Sequence, residues 1–502
     1  MNRITTVIAP VREILKTLGP IFSEKLGISQ HMVFRSRLDL FCSNLMSHLW
    51  AMAEYPYVDW VYRDAYYRYF SSKHENYPRD SIRVSLFDRK IKEEDFQLRY
   101  SNITDYYLGF FIIRPTPPNL LGRSMISPKA FGNKNYVCCL TSSDSTVLGI
   151  PLTSHSFPSA SQDGEAMTCA ETCIWSVMSY FGTKYREYSP VRPSQIVDVL
   201  SNSSVERSLP SHGLTLKMIS MALQKFGLST RIYDRGSYTD KDKKFVWLLN
   251  HYIESGIPVV AEVGNKSVSH AVVLIGHTLV VKNNYTPECK TLVRKDKTCP
   301  EVSTLDTADI PREYVVIDDN HAPFRISDFS NSVSYYANPL WEDLTIRRFV
   351  VPLHCRVNLE ADAARRLVDA VLADSKIGWP LEQRNVWIRF FLTSCRSYKQ
   401  KIRDMIDIDA NLSKLLISIS LPKFVWIAEL TSEELYFDNK SNGLIILDAT
   451  GRERTDSVQL IIYPNRLVSF PPSGISIHSV EFGVFPQYQN NLKGEWNAWK
   501  AN

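Results

Sequence analysis

Residues 168–182, TCAETCIWSVMSYFG, constrain the fold more than any other stretch, because only a helix lying on a second layer can bury their apolar side chains together. Ala170, Ile174, Val177, Met178 and Phe181 recur at helical spacing and form one stripe. Thr168 followed by Glu171 fits a capping box, which makes Thr168 the N-cap and Cys169 the first helical residue. Gly182 stands where a left-handed C-terminal cap is expected. Cys173 falls on the stripe between Ala170 and Val177 and reads as packing. Cys169 instead faces the positive end of the helix dipole, where a nearby imidazolium would favour a nucleophilic thiolate. Glu171 opposes that field, so a histidine partner is required.

Such a helix needs a sheet to lie on, and the chain supplies strands downstream. IPVVAEVG (257–264), HAVVLIGH (270–277) and YVVIDDN (314–320) are strand patterns, and LSTRIYD (228–234) follows the helix pattern LTLKMISMALQKFG (214–227). RPSQIVDVLSN (192–202) and FVWLLNHYIESG (245–256) are further helices. The intervening 283–311 is charged and rich in turn residues, and is expected to be a surface insertion. Its Cys289 and Cys299 lack the paired spacing of a zinc site, so no metal is expected.

At 502 residues the chain exceeds one ordinary domain. Three segments are expected: 1–130, an aromatic-rich and mildly basic accessory α/β unit; 131–345, which holds the helix and strands above; and 346–502, a second α/β accessory unit with no visible constellation. Residues 1–150 carry 19 Lys and Arg against 14 Asp and Glu, which accounts for the whole surplus of +5. That is too mild for a nucleic-acid footprint. The aromatic run at 55–70 invites a base-stacking interpretation, but Val61, Tyr62, Ala65, Tyr66 and Tyr69 share a helical face and are better placed in a core; no nucleic-acid partner is expected. Arg114 and Arg123 bracket a proline turn and are expected to make structural ion pairs rather than to hold an anion. No stretch has the length of a membrane span, no cofactor motif is present, and nine cysteines without a framework spacing suit a reducing cytoplasm.

A thiolate needs a base, and the base needs a group to orient it. His270 opens its strand after a polar loop. Asp319 ends YVVIDD on the face of Val315 and Ile317, with Asp318 on the other face and Asn320 a further candidate. Gln162, seven residues before Cys169, is a candidate oxyanion donor with the Cys169 backbone N–H.

Residues 169–182, GIPVVAEVGNKSVSHAVVLIGH (256–277), YVVIDDN and HGLTLKMISMALQKFGLSTRIYD (212–234) together resemble the C39-like peptidases, a branch of the papain-like cysteine peptidases. The resemblance covers about 160–325. It implies an α+β fold in which the nucleophile helix packs on an antiparallel sheet. It also implies a peptidase acting on a protein or peptide substrate, with Cys169 as nucleophile, His270 as general base and acid, Asp319 as orienting group and Gln162 at the oxyanion. The chain departs from that pattern in following the cysteine with Ala170-Glu171, in having Asn320 after the aspartate, and in the spacing of Gln162. A transamidase or deamidase would use the same triad, and a catalytically inactive papain-like scaffold would keep only its shape.

Overall fold

The computed structural model describes residues 4–494 apart from 97–102, 133–134, 203–213, 240–241, 281, 283–288, 293–300, 380–384, 453–454 and 472–473. Helix and strand take 32% of the described residues each, and the large sheets are antiparallel except where Val302–Asp306 runs parallel to Asn385–Ser394. The class is therefore α+β, as expected.

Three large sheets organise the chain. The first runs in the order Thr5–Pro10, Trp50–Tyr57, Ser81–Phe87, Tyr107–Ile113, Leu121–Ile126, Ser159–Ala160. The second runs Leu228–Asp234, Thr345–His354, Val259–Gly264, Ser269–Thr278, Tyr314–Ile317, Arg325–Ser327, with Tyr136–Cys138 also paired to Ser269–Thr278. The third begins with Lys290–Leu292 and Val302–Asp306, continues through Asn385–Ser394, Phe424–Thr431, Gly443–Asp448 and Val458–Tyr463, and ends at Ser476–Ser479.

These sheets cross the boundaries expected at 130 and 345. Residues 159–160 close the first sheet, and Thr345–His354 is an interior strand of the second. The expected surface insertion at 283–311 instead contributes two strands to the edge of the third sheet, with Val302 and Leu305 buried. With so few apolar residues, these two short strands show no alternation in sequence. Cys289 is exposed, and Cys299 lies outside the described residues.

The second sheet is covered on both faces. Alternation along Ser269–Thr278 sends Ala271, Val273 and Ile275 toward the helices Cys169–Lys184, Pro193–Ser201 and Leu216–Lys225, while Val272 and Leu274 enter the opposite core. That opposite core includes the helices Lys243–Glu254 and Ala361–Ala373 and one face of the third sheet, through Phe390, Trp426 and Ala428. The other face of the third sheet packs on Cys395–Asp404 and Ala410–Ser418. The 346–502 segment is thus joined to the middle of the chain by a shared core. In the first segment Val61, Tyr62 and Ala65 are buried on the helix Trp60–Arg68.

The helix Cys169–Lys184 starts where its capping box predicts, with Thr168 N–H donating to Glu171 at 3.2 Å. It does not stop at Gly182. The helix runs on to Lys184, and Gly182 serves a different need: a Cβ there would meet the Pro190 nitrogen at 2.4 Å and the Ser189 carbonyl carbon at 2.6 Å. The returning chain crosses the helix at a spot where only hydrogen fits. Gly182→Ala is expected to destabilise the protein by about 1–3 kcal/mol through overpacking, read as a lower urea midpoint. A midpoint equal to or above that of the parent, as helix propensity alone would give, would contradict this account.

Candidate active site

Two anchors shape the loop that leads into Cys169. Asp163 Oδ1 accepts the backbone N–H groups of Glu165, Ala166 and Met167 at 2.7–2.9 Å, folding 163–167 into a tight turn before the N-cap. Arg114, from the first sheet, donates to the carbonyls of Ser161 at 3.0 Å and Gln162 at 2.6 Å, and Asn119 Nδ2 donates to Asp163 O at 3.0 Å. Arg123 makes its expected ion pair, with Asp59 at 2.5 Å. Arg114 does not; it clamps backbone. The 1–130 segment therefore holds the approach to the cysteine helix in place.

Cys169 is half-buried at the first turn, and its side chain is among the groups that favour the charged form of His270. Cys173, one turn on, is buried in the core, and burial pushes its thiol well above the ordinary range. His270 is 5% exposed, and its Nε2 stands 3.1 Å from Asp318 Oδ1 and 3.5 Å from Asp319 Oδ1. Nε2 is committed to Asp318, which leaves Nδ1 as the ring nitrogen not held by that carboxylate.

The nearer carboxylate is Asp318, where the sequence favoured Asp319. Pairing register is the reason. Val273 lies opposite Ile317 and Leu274 opposite Val316. Continued past the strand end, this register sets Asp318 level with Val272, whose face His270 shares. Asp319, which alternation would group with Val315 and Ile317, stands farther from the ring, at 3.5 Å.

Asp318 is saturated with donors. Besides His270, it accepts the Asn320 N–H at 2.9 Å, the Tyr335 hydroxyl at 3.0 Å and the Tyr336 hydroxyl at 2.9 Å. Burial opposes its charge, but the His270 imidazolium and these hydrogen bonds hold its carboxyl well below the usual range. Burial likewise opposes the His270 cation, and Asp318 overcomes this to hold the imidazole well above its ordinary value. Tyr336 stacks on Trp341 at 4.1 Å, and the Trp341 ring lies 5.1 Å from His270. The signal for these aromatics in sequence is a Tyr-Tyr pair followed by Pro-Leu-Trp in an otherwise polar loop.

Gln162 is at the same cluster, but its Nε2 donates to the Asn320 side-chain oxygen, and Asn320 Nδ2 donates to Tyr336 at 2.9 Å. Its amide is therefore tied to the acidic loop, and an oxyanion role requires that bond to exchange. Asn320 braces the loop and makes no bond to His270 among the described contacts.

His270, Asp318 and Asp319 offer ligand atoms within 4.8 Å of one another, the composition of a divalent-cation site, where the sequence suggested no metal. The hydrogen bonds favour a proton over an ion. Asp318 already has its lone pairs engaged. Asp319, 5% exposed, has no hydrogen-bond donor on either oxygen. Burial and the adjacent Asp318 push Asp319 up to about 7 despite the pull of the imidazolium. Protonated, it leaves the pair of carboxyls with a single charge.

The sign of the resulting pH dependence follows. From the ordinary carboxyl value near 4 up to about 7, the folded chain holds a proton on Asp319 that the unfolded chain has lost, so this group's contribution to stability falls as pH rises through that window. Asp319→Asn keeps the shape and the donor without the charge. It is expected to match the parent near pH 4 and to exceed it by on the order of 2 kcal/mol at pH 8, measured by urea unfolding. A variant whose difference from the parent is the same at both pH values would show that Asp319 is ionised throughout.

No protein-family model matches the chain, and no curated protein matches its sequence. Among the described residues, no helix is long and apolar enough to cross a membrane.

Proposed function

We propose that the protein is a thiol hydrolase of amide bonds in proteins or peptides, with Cys169 as nucleophile, His270 as base and acid, and Asp318 as the group that orients the imidazole. The observation that carries this reading is a buried imidazole anchored to Asp318 through Nε2 and influenced by the side chain of Cys169, which opens a buried helix. The thiolate sulfur bonds to the carbonyl carbon, and the amine leaves with the proton held by His270. A water molecule then gives its proton back to His270 and attacks the thioester, releasing a carboxylic acid and the thiol. An amine in place of that water would make the same intermediate serve a transamidase.

The resemblance of 160–325 to C39-like peptidases supports the papain-like reading of this part of the fold. Trp341 and Tyr336 wall the imidazole, and Thr168 takes up Glu171, whose carboxylate accepts both its N–H and its hydroxyl. Work in a reducing cytoplasm accords with the free thiols of all described cysteines.

Alkylation kinetics test the proposal. Access alone favours Cys289 and Cys355, both exposed, over half-buried Cys169. With limiting iodoacetamide at pH 7 and peptide mass spectrometry, Cys169 is expected to react at least about tenfold faster than either, because it is the activated thiol. Labelling of Cys169 at or below their rates would refute an activated nucleophile and leave the inactive scaffold.

A further inference from the structure

At the opposite end of the cysteine helix, where it meets the third sheet, lies a cavity of about 180 Å³ whose lining contains cations and no Asp or Glu. Lys184, in the last helical turn, and Lys493 both contribute. Lys184 Nζ donates to the neutral Tyr180 hydroxyl at 2.7 Å and lies over the Tyr180 and Tyr185 rings, and Lys493 Nζ donates to the Asn490 side-chain oxygen at 2.6 Å. Lys493 is held in place by its backbone, which exchanges both hydrogen bonds with Cys138 at 2.8 Å. Its charged neighbours are Lys184 and Lys401, and burial with these like charges brings its amine down to about 8.

His354 adds a second, independent sign. Its ring is 5% exposed, and its Nδ1 accepts the Arg356 N–H at 3.2 Å, so the proton of the neutral ring sits on Nε2. That N–H is buried without a hydrogen-bond partner, and the nearest carboxylate oxygen, on Glu187, is 4.0 Å away. A buried donor left unmade is costly unless something fills the position. The wall is completed by Ser394, the N-cap of the ten-residue helix Cys395–Asp404, whose positive end adds to the same sign of potential. Phe181 and Phe424 give the cavity an apolar side.

We infer that this cavity binds a compact phosphate-type anion, with Lys184, Lys493 and the His354 Nε2–H as its donors and the aromatic side receiving the body of a small phosphate ester. Every charged group lining it is a donor, so an anion supplies the acceptors that the fold omits. The site is separate from the cysteine centre and does not depend on the function proposed for it.

Isothermal titration of the full chain with inorganic phosphate, and separately with phenyl phosphate, tests this against sodium chloride at matched ionic strength. Saturable binding of phosphate or phenyl phosphate, and none of chloride, is expected. Tighter binding of phenyl phosphate assigns an ester; equal binding assigns the free oxyanion. Lys184→Gln with Lys493→Gln is expected to weaken binding by about tenfold or more. The unliganded Tm of Lys493→Gln should equal or exceed that of the parent, since a like-charge contact is relieved, whereas a purely structural lysine would lower it. If the double variant does not fold, Lys493→Gln and His354→Gln singly carry the comparison. Absence of saturable binding, or binding that these substitutions leave unchanged, overturns the assignment.

Discussion

Replacing Asp318 with alanine is expected to destabilise the protein by about 3–5 kcal/mol, the range found when one partner of a buried ion pair is removed. The loss goes beyond one bond. His270 Nε2, the Tyr335 and Tyr336 hydroxyls and the Asn320 N–H all converge on this carboxylate, and all would be left buried without their acceptor. Asp319→Ala is expected to cost much less, because neither Asp319 oxygen has a hydrogen-bond donor and its charge is unwelcome where it stands. Urea unfolding of the two variants at pH 7 decides between the neighbours. Should Asp319→Ala prove the more damaging, Asp318 is not the anchor, and the role passes to the residue favoured by strand alternation alone.

The second large effect concerns the thiol. His270→Ala is expected to slow carboxamidomethylation of Cys169 at pH 7 by about 10²-fold, the lower end of what a positioned base contributes. Cys289 and Cys355 should keep their rates, since neither is among the groups that act on His270, and they serve as internal controls in the same digest. Asp318→Asn should give a smaller decrease, provided circular dichroism shows the fold retained, because the imidazole remains but loses its charged anchor. A Cys169 rate unchanged by His270→Ala would mean that the imidazole does no chemical work on the thiol.

The helix start was legible in the sequence because capping and amphipathic spacing are local. Thr168 and Glu171 are three residues apart, and the stripe from Ala170 to Phe181 repeats at a period that needs no tertiary information. The end of the same helix was not legible. Whether Gly182 closes a helix or makes room for a neighbour depends on where Ser189 and Pro190 return, and nothing in residues 169–184 records that. Arg114 shows the same limit: its partners are carbonyls 47 and 48 residues away, and a backbone carbonyl carries no sequence signature.

Residues 290–292 and 302–306 differ from the expected loop for a related reason. A short strand set among charges has the composition of a loop, and Val302–Asp306 is a strand because Lys290–Leu292 and Asn385–Ser394 pair with it on either side. Segment boundaries suffered likewise. Thr345–His354 follows the middle segment in sequence yet sits inside its sheet, because an antiparallel strand can insert wherever both neighbours offer free backbone groups.

For the candidate site, local pattern sufficed to bring forward a cysteine at a helix start, a histidine at a strand start and a pair of aspartates at a strand end, since each of those places is marked by its immediate neighbours. Choosing between Asp318 and Asp319 required the pairing of two strands more than forty residues apart. A strand's alternation says which side chains share a face; only the hydrogen-bonded register says which face the partner strand has chosen, and that is set by the packing of the whole sheet.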